Sequence, residues 1–414
     1  MAEKKYQVVI VGGGSAGISV AATLVKTGNG RELDIAIVDP AEHHYYQPAF
    51  TLVGAGCYSL EKTRREMQSL VPANVELIRD SASSFDPENN SLVLGEGDTL
   101  SYDYLVLCPG LELNWDKIAG AREAIGEGQV CSNYSPQHVD YTWDCIRQLK
   151  SGSRVVFTQA PLPFKCPGAP QKIAYLTADY LDKKNLLGEC ELNFLTHAPG
   201  IFGVPFFARE LNKVADRYGI KRYFQHNLVK INAASKIAEF ELVGEEDQGK
   251  TVEMEYDMLH FTPPQSPPEV FKSSAFANDS GYIDVHQNSL QHTKYSNVFA
   301  LGDAASTPNS KTAAAVRKQT PVVVHNILAM MKSGELSEAY DGYASCPLTT
   351  AFGKVILAEF CYGGKVTPSF PLDPARDRCT YWWIKATGLP IFYWNYMLKG
   401  HTWFLDHDRD FVEP

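Results

Sequence analysis

The sequence predicts an α/β fold of two Rossmann-type units, the second inserted in the first, followed by a carboxyl-terminal membrane-binding segment. Three observations predict it. An apolar run suited to a fully buried strand leads directly into G-x-G-x-x-G at residues 12–17. A Tyr-Asp pair, an apolar strand and a Pro-containing turn occur twice, from Tyr102 and again from Tyr256. An acid-free, aromatic-rich stretch lies near the end, from Thr380 to Leu405. The boundaries expected are 1-115 and 271-340 for the two parts of the first unit, 116-270 for the second, and 341-414 for the carboxyl segment. A length of 414 residues suits two or three domains at roughly 150 residues each.

Composition narrows the class. Charged residues are 21% and hydrophobic ones 44% of the chain, an ordinary folding composition. Lys plus Arg is 38 and Asp plus Glu is 48, so the net charge is 38 − 48 = −10. That argues against a nucleic-acid partner, which needs a basic face. Nine cysteines are too sparse for a disulfide scaffold, and no C-x-x-C pair occurs. Neither His43 nor His44 has metal-ligand spacing with a neighbour, and no metal is assigned. The chain enters its first strand almost at once, so neither a signal peptide nor a transit segment is expected.

The first unit opens with the strand Tyr6 to Val11, the glycine turn and a helix from Ile18 to Lys26. A second strand, Asp34 to Val38, ends in Asp39, 22 residues after Gly17. Each residue has a mechanical reason. Gly12 permits the tight turn, Gly14 lets backbone approach a pyrophosphate, and Gly17 lets helix pack on strand. Ser15 and Ala16 open the helix whose N-terminus faces the phosphates, and Asp39 accepts from ribose hydroxyls. Much later, Tyr295 to Asp303 is a strand ending in Gly302-Asp303. It resembles the second FAD fingerprint of two-dinucleotide-domain flavoproteins, in which the Asp holds ribityl hydroxyls.

The second unit has its strand, Ser153 to Thr158, but not its glycine loop. Gln159 to Pro170 carries four prolines instead. Proline has no N–H to donate, so this loop is a poor phosphate cradle, and nicotinamide binding is expected to be lost. The loop presents Cys166 just before a helix beginning near Gln171, a position that favours thiolate, with Lys165 adjacent. Cys346 is likewise a cysteine before proline in a loop. Nothing in the sequence by itself pairs the two.

At this point the chain resembles the sulfide:quinone oxidoreductases, in the branch that includes the mitochondrial enzymes. The shared segments run almost end to end: Gly12 to Gly17, His44 to Pro48 with Leu52 to Gly56, Lys165 to Lys172, Ile201 to Val204, Thr262 to Pro268, Gly302-Asp303, Ser310 to Val316, Tyr343 to Leu348 and Val355 to Phe360. Pro167 departs from the Ala common in the mitochondrial relatives. The resemblance implies FAD held by Gly12, Gly14, Ser15, Ala16, Gly17, Asp39, Gln47, Ala82, Gly110, Gly302, Asp303, Lys311 and Thr312. Ala82 would contribute backbone only, and Lys311 would stabilise charge on the flavin.

The resemblance further implies that Cys166 and Cys346 are the redox pair, Cys166 facing the flavin and Cys346 holding the transferable sulfur. Cys131 is read as structural, and so is His197. Sulfide would be oxidised, electrons would pass through FAD to a membrane quinone, and the sulfur would leave to sulfide, sulfite or a thiol such as glutathione. An NADH:quinone reductase and a flavocytochrome-type sulfide dehydrogenase subunit are the enzymatic rivals. A non-enzymatic flavoprotein is the rival from another class.

The stretch Thr380 to Leu405 holds nine aromatics, including Trp403 and Phe404, and its only lysines are Lys385 and Lys399. Gly388 and Pro390 interrupt it too often for a spanning helix. Two short amphipathic helices split at Leu389-Pro390 and lying on a bilayer surface fit it better. Phe352, Ile356, Phe360 and Phe392 are the expected quinone-site lining. The expected location is peripheral, on the inner face of a prokaryotic cytoplasmic membrane, and a homo-oligomer is allowed.

Overall fold

A computed structural model describes residues 3–28 and 33–401. The first unit is a mostly parallel sheet. Its strands run in the spatial order Val75–Ile78, Ile35–Val38, Glu3–Val11, Thr99–Leu107, Ser91–Leu94 and Ala82–Asp86. Val8, Val9 and Ile10 are fully buried, as a strand covered by helices on both faces requires. The strand Val298–Ala300 joins this sheet in parallel against Leu105 to Leu107. It returns to the first sheet only after the whole second unit, so the second unit is inserted in the first.

The second unit has a parallel sheet in the order Val130–Cys131, Met258–His260, Arg154–Gln159, Glu191–Thr196 and Lys221–Phe224. Its first crossover helix is Ala169–Lys183, which starts with Pro170 in its first turn, where a missing N–H costs nothing. The helix of the first unit spans Ser15–Thr27, longer at its start than the apolar pattern suggested.

The carboxyl segment has two parts. A hairpin, Ala344–Ala351 with Lys354–Phe360, sets Cys346 opposite Ala358. Beyond it, the helix Cys379–Trp383 continues through a π-turn, Ile384–Gly388, into Leu389–Asn395. The expected break at Leu389-Pro390 is therefore absent. Pro390 directly follows the π-turn, whose widened geometry accommodates its missing N–H without ending the helix.

This segment is also less of a surface element than its composition suggested. Tyr381 and Tyr393 are buried, whereas Trp383 is 62% and Ile391 52% exposed. The Tyr393 hydroxyl lies 2.6 Å from Ser15 Oγ and 2.5 Å from a ring nitrogen of His44, tying the segment to the glycine-loop helix. Lys385 points inward and is 5% exposed, against the expectation that it lies at a bilayer interface. Trp403 and Phe404 lie outside the described residues. Among the described residues no helix is long and apolar enough to cross a membrane.

Candidate active site

The glycine turn is shaped by close backbone approach. Gly12 has φ +109°, and a side-chain carbon there would lie 2.3 Å from the carbonyl oxygen of Cys108. One on Gly17 would lie 1.9 Å from the carbonyl oxygen of Gly12. Gly14 instead faces open space, with nothing within 4 Å of its missing Cβ. Asp39 turns back on the loop, accepting from the Gly13 N–H at 2.5 Å and the Ala41 N–H at 2.8 Å.

In front of this turn lies a cavity of about 700 Å³. Gly14, Ser15, Ala16, Asp39, Gln47, Gly110, Gly302, Asp303, Lys311 and Thr312 all line it, together with Cys166 and Phe392. Thr312 caps the helix Ala313–Ser333, accepting from the Ala315 N–H, so that helix starts at the cavity wall. Gly12 and Gly17 shape the turn from beneath. Ala82 is on an outer strand paired with Leu94 and does not line the cavity.

Three of the four residues expected to line a quinone site do not line this cavity. Along Lys354–Phe360 side chains alternate between faces. Leu357 and Glu359 line the cavity, while Ile356 and Phe360 pack on the other side, in the apolar cluster that contains Cys346. Phe352, at the hairpin turn, lies under the Lys183 ammonium at 4.8 Å. Of the four, only Phe392 lines the cavity.

Cys166 and Cys346, 180 positions apart (346 − 166), come together. Both are free thiols, within hydrogen-bonding reach of each other. Cys166 lines the cavity and Cys346 sits behind it, 3% exposed. Gly168 makes room for Cys346, because a Cβ there would lie 2.6 Å from its sulfur. Cys166 has φ +52°, an uncommon conformation for a residue with a side chain. Its N–H donates to the Lys311 carbonyl at 2.8 Å, and Tyr134 donates to its carbonyl at 3.2 Å.

Lys172 Nζ stands 3.1 Å from Cys166 Sγ. The hydrogen bond from Cys346, and then the Lys172 charge working against burial, hold the Cys166 thiol well below its usual pKa. The Cys346 thiol is pushed well up, by its bond to Cys166 and by burial. Burial opposes the Lys172 charge, but the two sulfurs outweigh it and its pKa rises. Lys385 is lowered to about 7, by burial and then by the nearby Lys172 charge.

Asp303 lines the cavity, its pKa pushed up by burial and held back by Lys165 and Lys311. Lys311 is 4% exposed, not a solvated lysine. Its ammonium donates to the carbonyls of Ala305 and Thr307 at 2.5 and 2.9 Å. Burial lowers its pKa to about 8, against the pull of Asp303.

Sequence reasoning missed Lys172 and Lys385. Lys172 does leave a signal: it stands six positions after Cys166, at the start of the helix Ala169–Lys183 that the cysteine precedes. Lys385 leaves none, since a lone lysine among aromatics reads equally well as an interface anchor. Cys131 lies in the second unit's core, hydrogen-bonded to Cys145 and raised by burial, and does not line the cavity. His197 does not line it either.

The cavity suits a dinucleotide. Gly14 and Gly110 present bare backbone to it with nothing in front. Asn133 lines it, buried, with both amide atoms unpartnered within the protein.

Residues 6–139 match the family model described as pyridine nucleotide-disulphide oxidoreductase. The chain is 42% identical over 400 residues to the mitochondrial sulfide:quinone oxidoreductase of Dictyostelium discoideum, covering 96% of this chain and 87% of that one. It is 39% identical over 400 residues to the mitochondrial sulfide:quinone oxidoreductase of Mus musculus, covering 97% and 88%. The crystal structure of the sulfide:quinone oxidoreductase from Aquifex aeolicus superposes with a TM-score of 0.78 at 21% identity, over 96% of this chain and 92% of that one, which shows a shared fold. The two sequence relatives are mitochondrial, so the expectation of a prokaryotic cytoplasmic membrane gains no support. Identity of this extent over nearly the whole length, on this fold, places the chain in the sulfide:quinone oxidoreductase family.

Proposed function

We propose that this protein oxidises sulfide through a Cys166–Cys346 relay and passes the electrons to quinone, with FAD in the 700 Å³ cavity. The observation that carries this reading is the pair of thiols beside the Lys172 ammonium, one thiol at the cavity wall and the other behind it. FAD supplies two-electron transfer between the cysteine pair and quinone. Gly14, Asp39, Gly110, Asp303, Lys311 and Thr312 would hold it.

The chain's own residues do the sulfur chemistry. In the oxidised enzyme Cys166 and Cys346 share a disulfide. Hydrosulfide attacks Cys346 Sγ, a new S–S bond forms there, and the Cys166–Cys346 bond breaks. Sulfide sulfur is oxidised, the disulfide is reduced, and the leaving group is the Cys166 thiolate, which Lys172 stabilises. A leaving thiol of low pKa leaves faster. The persulfide sulfur then goes to sulfide, sulfite or a thiol such as glutathione, and the pair re-forms its disulfide as two electrons depart.

The proline-rich stretch around Cys166 supports this over nicotinamide use, since four positions from Gln159 to Pro170 have no N–H to offer a phosphate. Phe392, with Leu357, Phe370, Ile384 and Leu389, supplies an apolar wall for quinone in the same cavity. Exposed Trp383 and Ile391 on the same carboxyl segment support peripheral docking on a membrane, where quinone resides.

Anaerobic stopped-flow absorbance of the holoenzyme tests the reading. Sulfide should bleach the flavin band, quinone should restore it, and Cys166→Ser should abolish the bleaching. Bleaching by NADH and not by sulfide would overturn it.

A further inference from the structure

Two titratable groups in the cavity wall have no part in the sulfur relay. Glu359 is 3% and Tyr343 2% exposed, and both line the cavity. The Tyr343 hydroxyl donates to Glu359 Oε1 at 2.5 Å. Ser369 donates its hydroxyl to the same oxygen at 2.6 Å and its N–H to Oε2 at 2.9 Å. Arg317 Nη2 reaches the Tyr343 oxygen at 3.5 Å. The chain of contacts runs outward from Tyr343 through Glu359 to half-buried Ser369, whose neighbour Phe370 is exposed.

The surroundings make the pair conspicuous. Strand alternation sets Glu359 on the same face as Leu357, and Leu357 packs with Tyr381 and Ile384. An ionisable carboxyl in an apolar wall costs free energy unless its partners compensate. Burial raises the Tyr343 pKa, with the nearby Glu359 charge adding to it, so the phenol keeps its proton at neutral pH. Quinone reduction consumes protons: quinone plus two electrons plus two protons gives quinol. In a site closed to water the protons need a donor within reach.

We propose that Tyr343 and Glu359 form a proton-delivery pair for the quinone, a role that rests on the reading that quinone binds in this cavity. The Tyr343 O–H bond breaks as an O–H bond forms on a quinone oxygen. The Glu359 carboxylate takes up a proton from solvent at half-buried Ser369 and passes it to the Tyr343 oxygen, so the carboxylate ends as it began. The electrons come from the sulfide half-reaction through the reduced enzyme. One of the two protons arrives by this route.

The test uses holoenzyme reduced with sulfide under anaerobic conditions and then reoxidised by two different acceptors. A short-chain ubiquinone analogue takes up protons; ferricyanide takes one electron at a time and none. In Glu359→Gln and in Tyr343→Phe, reoxidation by the quinone should slow by at least tenfold and its solvent deuterium isotope effect should change. Reoxidation by ferricyanide should stay within about twofold of wild type. Binding of the quinone analogue, read by tryptophan fluorescence, should be unchanged. Equal slowing with both acceptors would show a structural role and overturn the proposal. So would wild-type quinone rates in both variants. Wild-type enzyme that ferricyanide reoxidises and quinone does not would instead overturn the underlying quinone reading.

Discussion

Replacing Lys172 with Met removes one charge and keeps nearly the same length and apolar stem. The structure sets the size of the effect. At 3.1 Å from Cys166 Sγ, an ammonium and a thiolate attract by about 5 kcal/mol at an effective dielectric of about 20, which is an upper bound. The net worth of a hydrogen bond to a charged group is lower, about 1.5–3 kcal/mol, or about 1–2 pKa units. Cys346 and Lys385 remain near Cys166 in the variant, so the lower figure is the one expected. The Cys166 pKa should therefore rise by about 1–2 units in Lys172→Met. The assay is the pH dependence of iodoacetamide alkylation at Cys166 in the reduced protein, read by peptide mass spectrometry. A midpoint that moves by less than about half a unit would refute the assignment of Lys172 as the group that stabilises the thiolate. The same variant should reduce flavin more slowly with sulfide near neutral pH, and raising the pH should recover part of the loss.

Three further outcomes are expected. Gly17→Ala sets a carbon 1.9 Å from the Gly12 carbonyl oxygen, so the turn must shift. The purified variant should carry less FAD per chain and melt earlier, by about 1–3 kcal/mol of stability, and a full flavin complement would contradict the packing argument. Lys385, with a folded pKa of about 7 against an ordinary 10.5, is a charge the fold disfavours. Between those values the unfolded chain binds more protons, so stability rises with pH there. Lys385→Met should accordingly be the more stable protein at pH 7 and lose that advantage towards pH 10 in urea titrations, and an advantage that does not vary with pH would rule this out. Trp383→Ala with Ile391→Ala removes two exposed apolar side chains, each worth about 1–3 kcal/mol when buried in a bilayer interface. Sedimentation with lipid vesicles should fall by an order of magnitude or more, and undiminished sedimentation would place the docking surface elsewhere.

The parts of this protein readable from its sequence are those whose constraints are local. The glycine turn is one, because Gly17 is demanded by the backbone of Gly12 in the same turn. The missing glycine loop of the second unit is another, because prolines betray it wherever they sit. The Cys166 loop stood out for the same reason. The resemblance supplied Cys346, which spacing and composition did not.

What failed to read was decided by the meeting of distant elements. The hairpin register Ser345 to Glu359 and Cys346 to Ala358 chooses which alternate residues face the cavity, and one residue of phase separates Leu357 and Glu359 from Ile356 and Phe360. Lys385 and Tyr393 turn inward because the carboxyl segment packs on the glycine-loop helix and beside the cysteine loop, burying groups whose local sequence suits a membrane surface equally well. Sequence alone determined the fold class, the nucleotide-binding turn and the loss of a second one, since short-range sterics and backbone hydrogen bonding specify them. Only tertiary structure decided how Lys172 and Lys385 charge the cysteine pair and how Tyr343 and Glu359 meet, because burial and electrostatic coupling act through space, between side chains the chain itself holds far apart.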